Sequence, residues 1–163
     1  MVSLPTPAAA THALPEVFNF AEHLLAINAE RADKVAFVDD AVSISYGELD
    51  RRVRQMAAGL TAVGVRREER ILLLMEDCIA WPVCFLGSMF AGIVPVAVNT
   101  LLTADDYAYM LKHSRAQAVL VSSGLLPTLN AALDQPGHEV KKVIISAPQE
   151  PLQPSEIGLE AFL

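Results

Sequence analysis

Residues 78–98 carry no charged side chain, and the way that run is interrupted decides what the chain can fold into. The run is long enough to cross a bilayer. Yet Pro82, Gly87, Gly92 and Pro95 lie inside it, Glu76 and Asp77 precede it, and no basic residue flanks it. That is the wrong setting for a membrane span. The apolar period also changes at Gly92, from helical before it to extended after it. The spacing predicts a helix over 78–91, apolar nearly all round and so buried, followed by an interior strand over 94–98.

Upstream, Asn19 is placed to cap a helix running to about Asn28, with Glu22 closing a capping box and Phe18 acting as a hydrophobic staple. The β-rich runs 35–38 and 42–44, separated by Asp39-Asp40, read as a hairpin. Ser45 and Glu48 form a second capping-box pattern. Behind it Leu49, Val53, Met56, Ala57, Leu60 and Val63 recur at helical spacing, Arg51, Arg52, Arg54 and Gln55 take the other face, and Gly64 stands at the C-terminal cap. Residues 71–75 are a continuous apolar run, expected as a strand covered on both faces. Thr103 caps a helix to about His113, with Tyr107, Met110 and Leu111 inward. A strand at 119–121, a short helix at 125–133 and a strand at 143–145 follow. Strands and helices alternating in this way predict right-handed βαβ units. The expected fold is α/β, a mainly parallel sheet flanked by helices, with a short hairpin near its start.

Three segments are expected: 1–17, 18–147 and 148–163. The first is rich in Ala, Pro and Thr without Lys or Arg, and reads as a disordered leader rather than a secretory signal. The second is the α/β subdomain. The third is a Pro-rich connector into a continuation the chain does not complete, where Ile157, Leu159 and Phe162 begin a further element.

A chain of 163 residues, 53% of them hydrophobic, can bury one substantial core. Its formal net charge of −7 argues against nucleic acid as a partner, since phosphates need a basic face. Cys78 and Cys84, six apart on one predicted helix, point about 120° away from each other and cannot readily bridge or share a metal. Their neighbours Ile79, Trp81, Val83 and Phe85 are apolar, so both read as small buried hydrophobes in a reducing, cytoplasmic setting.

Few residues offer chemistry. Of the loops that follow the predicted strands, Ser122-Ser123-Gly124 alone has any phosphate-cradling character, and it reads as a helix-entry turn. Glu76-Asp77, after the 71–75 strand, would repel a phosphate. Gly87 and Gly92 have Walker-loop spacing, but Ile93 and Val94 replace the required Lys and Ser/Thr and the pattern leads out of a helix; it is packing. His12, His23, His113 and His138 sit in separate segments, with His113 suited to a helix C-terminus. Asp39-Asp40 suits a turn and Asp105-Asp106 a helix N-terminus. Arg66-Arg67-Glu68-Glu69-Arg70 reads as a solvated connector. Trp81 and Phe85 read as core rather than as a stacking platform. No catalytic, cofactor-binding or metal-binding residue is assigned from these patterns.

Two stretches nevertheless carry a likeness. Ile44-Ser45-Tyr46-Gly47-Glu48-Leu49 and Ala91-Gly92-Ile93-Val94-Pro95-Val96 resemble the early structural motifs of the adenylate-forming acyl-CoA synthetases. The stretches 18–25 and 98–107 resemble, more narrowly, those of benzoate–CoA ligases within that family. The resemblance implies an enzyme that activates an aryl carboxylate with ATP to an acyl-adenylate, with Mg²⁺ offsetting phosphate charge, and passes the acyl group to coenzyme A. It also implies that the phosphate loop, aryl pocket, ribose-binding acid and catalytic lysine belong to family segments beyond this sequence. The chain is then expected to be inactive alone and to bind none of these ligands by itself. Its implied partners are the remainder of the same polypeptide and the aryl acid, with no membrane partner and a homodimer left open. That reading also expects an exposed apolar patch where the rest of the enzyme packs. The alternative is a free-standing α/β ligand-binding or interaction domain, with Ser122-Ser123-Gly124 as its ligand loop.

Overall fold

The computed structural model describes residues 15–40, 42–149 and 151–163. Most of the expected leader, with His12, lies outside them. Helix α1 (Phe20–Ala26) opens where Asn19 accepts the N–H of Glu22 at 3.1 Å. The Phe18 and His23 rings meet at 5.3 Å, which realises the staple. The hairpin follows as β1 (Val35–Val38) and β2 (Ser43–Ser45), paired antiparallel. Helix α2 (Tyr46–Ala62) buries Leu49, Val53, Met56, Ala57 and Leu60 along the predicted face. It stops where Gly64 takes a φ of +92°, a conformation glycine adopts without strain.

Neither of the first two capping boxes closes on both sides. Ser45 accepts the N–H of Glu48 at 3.3 Å, but the Glu48 carboxylate turns along the helix to Arg51 at 2.6 Å and Arg52 at 2.7 Å. Two guanidinium partners outcompete one backbone N–H. Their hydrogen bonds, Arg51 first, hold the Glu48 carboxyl at about 2 against an ordinary 4.5. This contribution is fully present above about pH 4.5 and is lost as pH falls toward 2. The side chains are partly solvated, so it amounts to about 1 kcal/mol. Denaturant unfolding at about pH 7 and about pH 3 is expected to show this loss, and Glu48→Gln to remove it from the difference.

The remaining elements form a five-stranded parallel sheet of order β4-β3-β5-β6-β7. It comprises β3 (Arg70–Leu74), β4 (Val94–Ala97), β5 (Ala118–Ser122), β6 (Lys142–Ser146) and β7 (Glu156–Gly158), joined in part by α3 (Ala80–Phe90), α4 (Ala104–Ser114) and α5 (Leu126–Leu133). The apolar runs are continuous because each strand feeds two cores. Ile71, Leu73, Ala118, Leu120 and Ile144 face α2 and α3, whereas Leu72, Leu74, Val119, Val121, Val143 and Ile145 face α4 and α5. The chain leaves β3 for β4 on one side and crosses back to β5 on the other. Right-handed crossovers in opposite directions place their helices on opposite faces, where α3 and α4 are found.

Four expectations are corrected here. The helix of the uncharged run begins at Ala80 and buries Val83, Cys84, Leu86, Gly87 and Ser88, but Trp81, Pro82 and Phe85 are only half-buried. An apolar face of a helix is buried only if something lies against it. Strand β4 is an edge, not an interior strand. Val94 donates to the Glu69 carbonyl just before β3 and Val98 to that of Leu73 within it, so by the alternation of a strand the nitrogen of Pro95, which has no hydrogen, faces the open side. Cys84 is buried, but Cys78 precedes the helix and is half-buried. Finally, Ile157 lies in β7, parallel to β6, and Leu159 is buried against the core, so 156–159 belongs to the sheet domain.

Candidate functional site

In a parallel sheet, ligands bind beyond the carboxyl ends of the strands, where the strand order reverses. Here that place lies between β3 and β5. The Ser122 hydroxyl accepts the N–H of Glu76 at 3.0 Å. The Glu76 carboxylate oxygen Oε1 lies 3.6 Å from where a Cβ on Gly124 would stand. A carboxylate thus stands where a phosphate would approach the glycine, and the two charges repel. Ser123–Leu125 is instead a 3-10 turn that enters α5, with Pro127 in its first turn. Among the described residues, no group of three His, Cys, Asp or Glu side chains is placed to hold a metal ion. At this switch point the described residues present a carboxylate rather than a phosphate cradle.

The loop after β4 is built with more care. Asn99 accepts the N–H of Leu101 through its side chain at 2.8 Å. The fully buried Tyr107 donates its hydroxyl to the Asn99 carbonyl at 2.8 Å and accepts the N–H of Leu102 at 3.3 Å. Thr103 and Asp106 complete a reciprocal capping box at the start of α4. The bonds from Thr103 hold the Asp106 carboxyl below its ordinary range. Leu101, at the tip, is 89% exposed.

Several other titratable groups have structural duties. His113 lies in the last turn of α4 and stacks on Tyr109 at 5.5 Å. His138 accepts the N–H of Val140 through Nδ1 at 3.2 Å, which leaves Nε2 to donate to the Leu133 carbonyl, 2.9 Å away, at the end of α5. Burial pushes the Cys84 thiol far up, which makes it inert. Asp39 bridges two elements, accepting from Val42 within the hairpin turn at 2.9 Å and from Ile79 at the start of α3 at 3.1 Å. The turn role was legible in the sequence. The bridge joins residues 40 apart and had no local signal.

Hairpin, α1 and α3 together enclose a groove of about 650 Å³. Phe20, Leu24, Phe37, Trp81 and Phe85 line it, with Asp40 and Asp77 also among the lining residues. The Trp81 and Phe85 rings stack at 5.0 Å, their planes 11° apart. They are packed against the core below yet half-open to the groove, so the expectation that they are simply core is corrected. Val38, which also lines the groove, is 73% exposed, and Val42 across the hairpin turn is exposed as well. Sequence reasoning expected such a patch without placing it.

Against known proteins, residues 25–160 match the AMP-binding enzyme family. The chain is 43% identical over 124 residues to a 4-hydroxybenzoate–CoA/benzoate–CoA ligase of Rhodopseudomonas palustris, a match covering 76% of this chain and 23% of that protein. It is also 43% identical over 117 residues to the benzoate–CoA ligase of Thauera aromatica, covering 70% of this chain and 22% of that one. The crystal structure of a benzoate CoA ligase from Burkholderia xenovorans LB400 superposes with a TM-score of 0.79 at 45% identity, over 90% of this chain and 28% of that one. The chain spans about a quarter of the length of the curated relatives it matches.

Proposed function

This chain belongs to the AMP-binding enzyme family, and on that premise we propose that it forms part of an ATP-dependent ligase joining an aryl carboxylate of the benzoate type to coenzyme A. The observation that carries the reading is the 43–45% identity to benzoate–CoA ligases, which extends over both faces of the sheet domain rather than over one motif. In the proposed reaction ATP, with Mg²⁺, converts the acid to its acyl-adenylate, and coenzyme A then displaces AMP. Such a step would prime aromatic acids for degradation in the cytoplasm.

The role proposed for the chain is that of scaffold. Its described residues present a carboxylate at the switch point and no phosphate cradle, so no step of the reaction is assigned to them. They supply a two-core sheet, the rigid Asn99–Leu102 loop and an apolar flank. The remainder of the polypeptide is the proposed partner. The same carboxylate disfavours the alternative of a free-standing nucleotide-binding domain built on Ser122-Ser123-Gly124.

A chimera tests the reading. The segment of the Rhodopseudomonas palustris ligase that this chain matches is replaced by the chain itself, and benzoate-dependent formation of AMP and benzoyl-CoA is measured. The expected result is retained benzoate-dependent turnover by the chimera and none by the chain alone. A folded chimera that has lost turnover, or turnover indifferent to benzoate, overturns the proposal.

A further inference from the structure

We propose that the groove between α1, α3 and the hairpin is the seat of an apolar helix face bearing Lys or Arg at its rim, contributed by the part of the AMP-binding fold that this chain does not span. The proposal rests on the reading that the chain is part of a longer ligase, and it adds where and by what chemistry the two parts join. Three observations carry it.

The surface has the wrong chemistry for water. Trp81 and Phe85 stack with their rings half-open, and Phe20, Phe37 and Val38, which also line the groove, add exposed apolar area. A continuous patch of this kind marks an interaction site rather than an ordinary surface. It lies between two helices and a hairpin, and an apolar groove in such a place can receive the apolar face of an amphipathic helix.

Its charge is of one sign. The charged residues lining the groove are Asp39, Asp40 and Asp77, without a Lys or Arg among them. Asp39 is engaged with Val42 and Ile79, whereas Asp40 and Asp77 are exposed. An occupant that buries the aromatic floor brings its own rim close to these carboxylates, and a cation there gains what an anion loses.

The same charges count against a second copy. Groove against groove would set aspartates facing aspartates. A head-to-tail copy offering α2 presents arginines already paired, Arg51 and Arg52 with Glu48 and Arg54 with Asp50.

Trp81 is the single tryptophan of the chain, so its emission reports on the groove alone. The chain is titrated with an amphipathic Leu/Lys helical peptide of about 15 residues and with its Leu/Glu counterpart. The Leu/Lys peptide is expected to shift Trp81 emission to the blue and to bind about fivefold more tightly than the Leu/Glu peptide, the size two exposed ion pairs provide. The double variant Asp40→Asn, Asp77→Asn is expected to erase that preference. Both positions are exposed, so the fold is kept, which circular dichroism checks.

Equal binding of the two peptides, a preference that survives the double variant, or no emission change with either overturns the proposal. So does an emission shift that follows protein concentration alone with dimers in sedimentation, which gives the groove to a second copy. None of these outcomes touches the ligase reading, which the chimera tests by turnover. Loss of turnover in a folded chimera would in turn leave the peptide result standing.

Discussion

Gly87→Val is expected to destabilise the chain by about 3 kcal/mol, an overpacking cost at the upper end of the usual range. A Cβ on Gly87 would stand 2.7 Å from both Cβ and Cγ of Met56 and 3.2 Å from the carbonyl oxygen of Val53. Met56 is fully buried and its Cβ is fixed to the α2 backbone, so relief requires α2 to move off α3. That movement would open the core that Leu49, Val53, Leu60, Val83 and Cys84 share. Gly87→Ala sets two effects against each other. Alanine gains about 1 kcal/mol of helix propensity, while the added methyl meets the same contacts. Overpacking wins, and a net loss of about 1 kcal/mol is expected. For a chain of this size the valine variant should melt about 6–12 °C lower and the alanine variant about 2–4 °C lower. Thermal unfolding followed by circular dichroism measures both. Unchanged melting in both would mean that α2 and α3 do not meet at this glycine.

The same seam shows why some of the fold was legible in the sequence and some was not. Gly87 and Gly92 were separable from a phosphate loop by chain direction alone, and the structure gives each a packing or turning duty, with Gly92 at a φ of +72°. Strands β3, β5 and β6 were readable because an apolar run with no polar alternation needs two covered faces, and that signal is local information repeated along the strand. The α2 face was readable for the analogous reason at helical period. What could not be read depends on distant neighbours. Helix α3 is apolar on every side, and composition cannot say which side the chain itself covers. The edge position of β4 had one local trace, Pro95, whose missing N–H the open side tolerates. Strand β7 is three residues long behind a Pro-rich segment, too short to carry a period. The groove was foreseen only as a patch somewhere on the surface. Its walls come from α1, the hairpin and α3, brought together in part by the bond from Ile79 to Asp39.

Tyr107→Phe is expected to cost about 2 kcal/mol, although it removes a single oxygen. The side chain is fully buried, and its ring fills the α4/α5 core with Leu72, Leu111 and Leu129. Phenylalanine keeps that packing, so the loss is polar and local. Without the hydroxyl, the Asn99 carbonyl and the Leu102 N–H lose the partner that tied them to α4. Each must find water or remain unpaired in a partly buried place, and an unpaired buried polar group costs about 1–3 kcal/mol. The reciprocal Thr103–Asp106 box remains, so α4 still begins at Ala104. The expected signature is therefore a loop loosened on an intact helix. Exchange of the Leu102 amide hydrogen should accelerate about tenfold or more, while the amides of Leu111 and of β5 change only by the global loss of stability. Tyr107→Leu, which removes ring and hydroxyl together, should speed exchange throughout the α4/α5 core as well. If Tyr107→Phe leaves Leu102 exchange unchanged, the hydroxyl does not hold the loop, and its rigidity comes from the Asn99 turn alone.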